Sequence, residues 1–247
     1  MFRKISVKGL HYLHDLADLC FPPSCLACGA PLPQSAILFC PDCLHRITFI
    51  REPYCTCCGT IFPAGASHLC GHCLRKGWHF DRARAVMVYN ETAAKAIVGL
   101  KFGGRKAALA TFGKLKEQSP ANRDLVITDA IIPVPLHRNR LRRRGFNQSL
   151  LLALAFFPDQ RRKIQKTALT RQRDTMSQTG LDGAARRRNM RDAFVVTRPE
   201  EVRGKKIVLV DDVFTTGTTV NECARALKQA GAVRVDVFTL ARVEKNR

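Results

Sequence analysis

At 247 residues, the chain has room for one α/β domain of about 150 residues and a smaller appendage. Its hydrophobic content of 46% suffices to bury a core and its charged content of 25% is ordinary, which together exclude disorder throughout. The charge is one-sided, 41 Lys and Arg against 20 Asp and Glu for a net of +21, so anionic partners are the ones to look for.

The N-terminus opens with Arg3 and Lys4, but His11, His14, Asp15 and Asp18 interrupt what would have to be the apolar core of a secretion signal. We therefore expect a cytoplasmic protein. Leu10, Leu13, Ala17 and Cys20 fall at helical spacing and predict an amphipathic helix within residues 1–22, packed on the body of the protein or lying on a membrane surface. The longest apolar run, residues 150–157, is eight residues long and stops at Pro158. A membrane-crossing helix needs about 20, so none is expected.

Residues 23–79 are built on cysteine. Cys25, Cys28, Cys40 and Cys43 are followed 30 positions later by Cys55, Cys58, Cys70 and Cys73. The repeat includes more than sulfur, since Gly29, Pro33 and Leu44 recur as Gly59, Pro63 and Leu74. Two residues between thiolates let a tight turn place both sulfurs on one ion, and the glycine relieves the backbone where it curls. Four sulfurs close a tetrahedron and leave no position for substrate, so the zinc is expected to be structural and to supply folding energy to segments too small for a core of their own. Disulfides are the alternative, disfavoured in a reducing compartment. Each repeat can close on itself or the two can cross-brace, and the spacing permits both. Cys20, Cys57 and Cys223 fall outside the repeat and read as packing thiols, while His68 and His72 lie near enough to stand in for a sulfur.

From residue 80 to 247 cysteine almost disappears and strands alternate with helices. Strands are predicted over residues 85–89, 130–134, 206–210 and 233–240, and helices over 91–100, 106–117, 146–157 and 218–230. That succession argues for a parallel sheet flanked by helices, whose ligands collect at the carboxyl ends of the strands. The most specific motif stands at one such end, KIVLVDDVFTTGTTV at residues 206–220. An apolar strand delivers Asp211 and Asp212, and Thr215, Thr216, Gly217, Thr218 and Thr219 then turn the chain into a helix. Turn amides with a helix N-terminus form a phosphate nest, to which threonine hydroxyls add donors and Gly217 gives close approach. The two carboxylates would repel a phosphate but accept hydrogen bonds from the vicinal hydroxyls of a ribose. Together they point to a phosphorylated sugar.

With these residues in view, residues 207–219 resemble the loop that binds phosphoribosyl pyrophosphate (PRPP) in type I phosphoribosyltransferases, and about residues 16–243 resemble the ComF (GntX-like) family. IIPVPLHRNRLRRRGFNQS at 131–149, LKFGGR at 100–105 and RRRNMRDAF at 186–194 are similar to that family's pattern. The resemblance implies a type I phosphoribosyltransferase-like parallel sheet behind a double zinc-ribbon-like module. It implies that Asp211 and Asp212 contact ribose, that Thr215 to Thr219 hold the 5′-phosphate, and that Mg2+ bridges ribose and pyrophosphate. It also implies a pyrophosphate loop, for which Lys101, Phe102, Gly103 and Gly104 are the candidates by position. Lys101 and Arg105 would supply charge to the leaving group, making Lys101 catalytic with the acid pair. A Lys-Phe-Gly-Gly turn is equally a helix C-cap.

Between His137 and Arg191 there are 15 Arg and Lys against three acids, Asp159, Asp174 and Asp182. Arg138, Arg140, Arg142, Arg143 and Arg144 form one cluster, and Arg186, Arg187, Arg188 and Arg191 another. An extended arginine-rich surface suits a nucleic-acid backbone, and solvated charge or another polyanion is the alternative. Aromatic residues able to stack on bases are few, so no base-sequence recognition is expected. The resemblance implies a role in natural competence, handling incoming single-stranded DNA with a helicase-like ATPase partner, at most peripheral to the inner membrane. The other hypothesis is an enzyme that transfers phosphoribose from PRPP to an acceptor. No hood for a purine or pyrimidine is legible, and Asn147 and Gln148 read either as site groups or as helix caps.

Overall fold

Apolar segments of the second half assemble a parallel sheet in the computed structural model of the chain, which describes residues 23–33, 37–75, 77–103, 107–124, 128–173 and 192–244. In chain order the elements are helices α1 (Pro41–His45) and α2 (Gly71–Arg75), strand β1 (Arg82–Val88), helices α3 (Glu91–Gly103) and α4 (Ala107–Gln118) and strand β2 (Ala130–Pro133). Helices α5 (Arg138–Arg144) and α6 (Gln148–Phe156) follow, then strands β3 (Leu169–Arg171), β4 (Phe194–Val196) and β5 (Lys206–Phe214), helix α7 (Thr218–Gln229) and strand β6 (Arg234–Arg242). The amphipathic helix expected near the N-terminus lies outside the described residues, as do Cys20, Gly104, Arg105, Arg186, Arg187, Arg188 and Arg191.

The four-stranded sheet runs β1-β6-β5-β2 with every pair parallel, and β3 and β4 form a separate antiparallel pair. Both sheet faces are covered, which is why its strands read as unbroken apolar runs rather than as alternation. On one face Val86, Ile131, Val208, Val210 and Phe238 pack with Ile97 of α3, Phe112 of α4 and Phe156 of α6. On the other, Ile132, Ile207, Leu209 and Val237 pack with Val220, Cys223 and Leu227 of α7 and with Leu169 and Phe194 of the small pair. Residues 220, 223, 224 and 227 are the apolar stripe of α7 at i, i+3, i+4 and i+7. Pro133, which cannot donate to a ladder, is tolerated at the end of edge strand β2. Among the described residues no helix is long and apolar enough to cross a membrane.

At the opposite edge, the chain between the two cysteine repeats runs antiparallel to β1. Val88 N–H donates to Thr48 O (2.8 Å), Ile50 N–H to Val86 O (3.2 Å) and Ala83 N–H to Cys57 O (2.7 Å), so that edge is not left open for unwanted pairing. Two arginines are buried in this junction. Arg84 donates to Ala83 O and Thr56 O and lies 4.5 Å over the Tyr54 ring. Arg242, at the end of β6, donates to Cys58 O and Thr60 Oγ1. Thr56 O, Cys58 O and Thr60 Oγ1 of the cysteine-rich segment thus help to bury these two charges, with Glu244 pairing Arg242 (3.3 Å).

Candidate functional site

The repeat seen in the sequence is a repeat in hydrogen bonding. Cys25 N–H donates to Ala30 O and Cys55 N–H to Thr60 O; Gly29 N–H donates to Cys25 O and Gly59 N–H to Cys55 O. Gly29 (φ 78°) and Gly59 (φ 74°) occupy the left-handed region that closes each knuckle. Each repeat closes on itself. The sulfurs of Cys25, Cys28, Cys40 and Cys43 lie within 4.8 Å of one another, and so do those of Cys55, Cys58, Cys70 and Cys73. Cys28–Cys40 and Cys55–Cys73 are 3.7 Å apart and Cys58–Cys70 3.8 Å. A tetrahedron with Zn–S bonds of about 2.3 Å has edges of about 3.8 Å, so both sets fit zinc, and the described cysteines are all free thiols.

Burial alone would raise the Cys25 and Cys55 thiols, but surrounding backbone N–H donors outweigh it and bring each down to about 6. Cys43 and Cys73 are pushed up by burial and by neighbouring sulfurs. Four crowded thiols cannot all ionise unaided, and a divalent cation removes that conflict. His68 instead stacks on Phe62 (4.2 Å) and His72 tilts against Trp78 (5.3 Å); neither joins a cluster.

At the carboxyl end of β5, Asp211 and Asp212 are half-buried rather than sunk in the core. Asp211 Oδ1 accepts from Ser149 Oγ and from Asp212 N–H, each at 2.9 Å, and Asp212 Oδ1 accepts from Val213 N–H at 2.7 Å. Ser149 stands in the first turn of α6. Asn147 is the N-cap, its Oδ1 accepting from Ser149 N–H (3.0 Å) while its Nδ2 donates to Val134 O (3.1 Å), so the loop after β2 is pinned beside the end of β5. Burial lowers the pKa of Arg144 at the end of α5, and the negative charge of Asp212 opposes that shift.

The turn that follows opens α7. Thr215 and Thr216 are exposed, and Thr216 Oγ1 and Thr218 Oγ1 are 2.9 Å apart. Gly217 is buried at φ 75°, and a Cβ there would stand 2.7 Å from Phe214 Cζ and 3.2 Å from Trp78 Cη2. The first intrahelical bond is Asn221 N–H to Gly217 O (2.9 Å), so the amides of residues 218–220 lie ahead of the ladder, the arrangement that attracts an anion. Cys223, one turn on, is fully buried and is a core thiol.

Lys101, Phe102 and Gly103 form the last turn of α3 rather than a loop. Arg138, Arg140, Arg142, Arg143 and Arg144 are all on α5, a helix with no buried residue and no acid, closed by Gly145 at φ 76°. Between α5, the start of α6 and β3 opens a cleft of about 900 Å³ lined by His137, Arg138, Asn147, Lys166, Arg171 and Gln172 among others, none of them acidic. The sequence reading missed Ser149, Trp78 and Arg242. The aromatic run at residues 78–80, five positions after the last zinc cysteine, was the available signal for Trp78; for Arg242 there was none.

Residues 16–74 match the double zinc ribbon domain and residues 152–247 the phosphoribosyl transferase domain. The chain is 44% identical to the DNA utilization protein YhgH of Escherichia coli O157:H7 over 118 residues, 48% of this chain and 51% of that protein. To the YhgH of Escherichia coli O6:H1 it is 38% identical over 167 residues, 66% of this chain and 73% of the other. It is 37% identical to competence protein F of Haemophilus influenzae over 119 residues, 48% of this chain and 52% of that one. The chain thus spans about half the length of the first and third of these relatives. Among solved structures, glutamine PRPP amidotransferase from B. subtilis is 24% identical with a TM-score of 0.34, over 52% of this chain and 25% of that one.

Proposed function

This chain belongs to the ComF family, and from that membership we propose that it binds PRPP with Mg2+ at the carboxyl end of β5 and serves the uptake or use of single-stranded DNA. The observation that carries the first half is the half-exposed pair Asp211 and Asp212 directly ahead of a Thr/Gly turn that opens a helix. Ribose hydroxyls donate to the two carboxylates, and the 5′-phosphate accepts from the amides and hydroxyls of Thr215, Thr216, Gly217, Thr218 and Thr219. The Ser149 hydrogen bond fixes the Asp211 carboxylate, so less freedom is lost when sugar binds. Asp211 and Asp212 are the carboxylates at this end of β5 that would donate oxygen to Mg2+ bound with PRPP, and the ion would offset the negative charge of the pyrophosphate. On the pyrophosphate side the candidates remain Lys101, Gly103, Gly104 and Arg105. A helix carboxyl end repels anions, so attraction there falls to the two cations.

Support for the DNA half is the acid-free α5 with its arginines beside the equally acid-free cleft, together with the names of the relatives, DNA utilization protein and competence protein. The second cluster, Arg186, Arg187, Arg188 and Arg191, also contacts nucleic acid in our reading. The protein then works in the cytoplasm, with a helicase-like ATPase as partner and no base-sequence preference. The second reading, pentosyl transfer from PRPP, is favoured by the cleft, which has room for a small acceptor. Incubating the protein with PRPP and magnesium, with and without single-stranded DNA, separates the two. Binding without pyrophosphate release supports a DNA-handling protein that uses PRPP as a ligand; release in the presence of an acceptor supports the enzyme. Failure to bind PRPP under any condition would refute both.

A further inference from the structure

The second zinc cluster touches the turn that opens α7 through one tryptophan. Trp78 Nε1–H donates to Cys73 Sγ at 3.3 Å, and the far edge of the same indole lies 3.2 Å from the position of a Cβ on Gly217. Its neighbours reinforce the link. His79 N–H donates to Asn221 Oδ1 in the first turn of α7 (2.8 Å), while Phe80 stacks on Trp78 (5.0 Å) and meets Phe214 edge-on (6.1 Å). A second route converges on the same place, since Arg242 donates to Cys58 O and lies 4.9 Å over the Phe214 ring. The first cluster has no such route among the described residues: Cys25 and Cys43 pack into the core on the α3 and α4 face.

A thiolate held by zinc keeps its sulfur in place, and a hydrogen bond to that sulfur fixes the group that donates it. We propose that Trp78 is a positioning residue that couples zinc at Cys55, Cys58, Cys70 and Cys73 to the shape of the phosphate-binding turn. Metal occupancy of this one site and affinity for Mg-PRPP therefore rise together. The proposal rests on reading that turn as a sugar-phosphate site. Coupling between two ligands is reciprocal, so PRPP must hold the zinc as much as the zinc favours PRPP, by a factor of about 5 to 150 if the coupling is of ordinary size.

Trp78 is the only tryptophan in the chain, so its emission reports on both sides of the link. The test uses the full chain loaded with about two zinc ions. PRPP with magnesium is titrated against tryptophan emission, and zinc affinity is measured by equilibrium competition with a chelator, with and without PRPP. The expected results are a shift in emission on PRPP binding and tighter retention at equilibrium of one zinc but not the other. Trp78→Ala is expected to keep its zinc and to bind Mg-PRPP about 5-fold to 150-fold more weakly by calorimetry, with Trp78→Phe, which keeps the stacking but lacks the N–H that reaches Cys73, recovering little of the loss. Equal zinc affinity with and without PRPP, in a chain that does bind PRPP, overturns the coupling and leaves the sugar-phosphate reading standing. That comparison also decides the matter should Trp78→Ala lose its zinc or fail to fold. If PRPP binds to no form of the protein, the coupling and the reading fall together.

Discussion

Two glycines with nearly the same backbone offer a controlled test of how tightly the turn is built. Gly217 (φ 75°) and Gly145 (φ 76°) both occupy the left-handed region, where a side chain costs about 1–2 kcal/mol. At Gly145 an added Cβ meets nothing within 4 Å, so Gly145→Ala should show that backbone cost alone. At Gly217 it would stand 2.7 Å from Phe214 Cζ and 3.2 Å from Trp78 Cη2, and both rings are held by other partners. Displacing packed rings costs about 1–3 kcal/mol more, so Gly217→Ala should lose about 2–5 kcal/mol in all. Urea unfolding of the two variants in zinc-containing buffer, followed by circular dichroism, measures the difference, with Mg-PRPP affinity of Gly217→Ala measured beside it. If the two variants agree within about 0.5 kcal/mol, the crowding at Gly217 does not exist and the close packing behind the turn is wrong.

Arg242→Met should cost about 2–4 kcal/mol, because it strands Cys58 O, takes the cation from the partly buried Glu244 carboxylate and removes the cation over Phe214; thermal unfolding checks it. Replacing Arg142, Arg143 and Arg144 with alanine should weaken binding to single-stranded DNA and reduce the salt slope by up to about 2, read from affinities at several salt concentrations. Unchanged retention at every salt concentration would remove α5 from the contact surface. Ser149→Ala deletes the 2.9 Å bond to Asp211 and should weaken Mg-PRPP by roughly 3-fold to 10-fold with little change in stability, as calorimetry and melting together will show.

Much of this architecture was legible because it depends on local spacing. The 30-residue offset of the cysteines gave the two knuckles, and the apolar run before Asp211 gave a strand ending where the acids begin. What the spacing left open was which sulfurs share an ion, since cross-bracing satisfies the same pattern; only the distances between sulfurs decide it. Strand β1 starts at Arg82, earlier than its apolar part suggests, because Arg84 is buried against carbonyls and a tyrosine supplied by a distant segment. Lone charges in a strand read as solvent-facing unless their partners are known. The α5 helix was hidden for a related reason: with five arginines and no apolar face it has no periodicity to detect. Ser149 and Arg242 act only through residues far away in sequence, Asp211 and Cys58, so no window of neighbours reveals them. Lys101 to Gly103 is the converse case, where a Gly-containing turn reads equally as a loop or as a helix C-cap and the chain continues as helix to Gly103.

Calorimetry of Mg-PRPP against the unaltered chain and against Asp211→Asn with Asp212→Asn addresses the sugar-phosphate site most directly. The unaltered protein should bind with measurable heat, and the double variant, with the same zinc content and the same fold by circular dichroism, should show none. Equal affinity in the two would mean that these carboxylates do not hold a ribose.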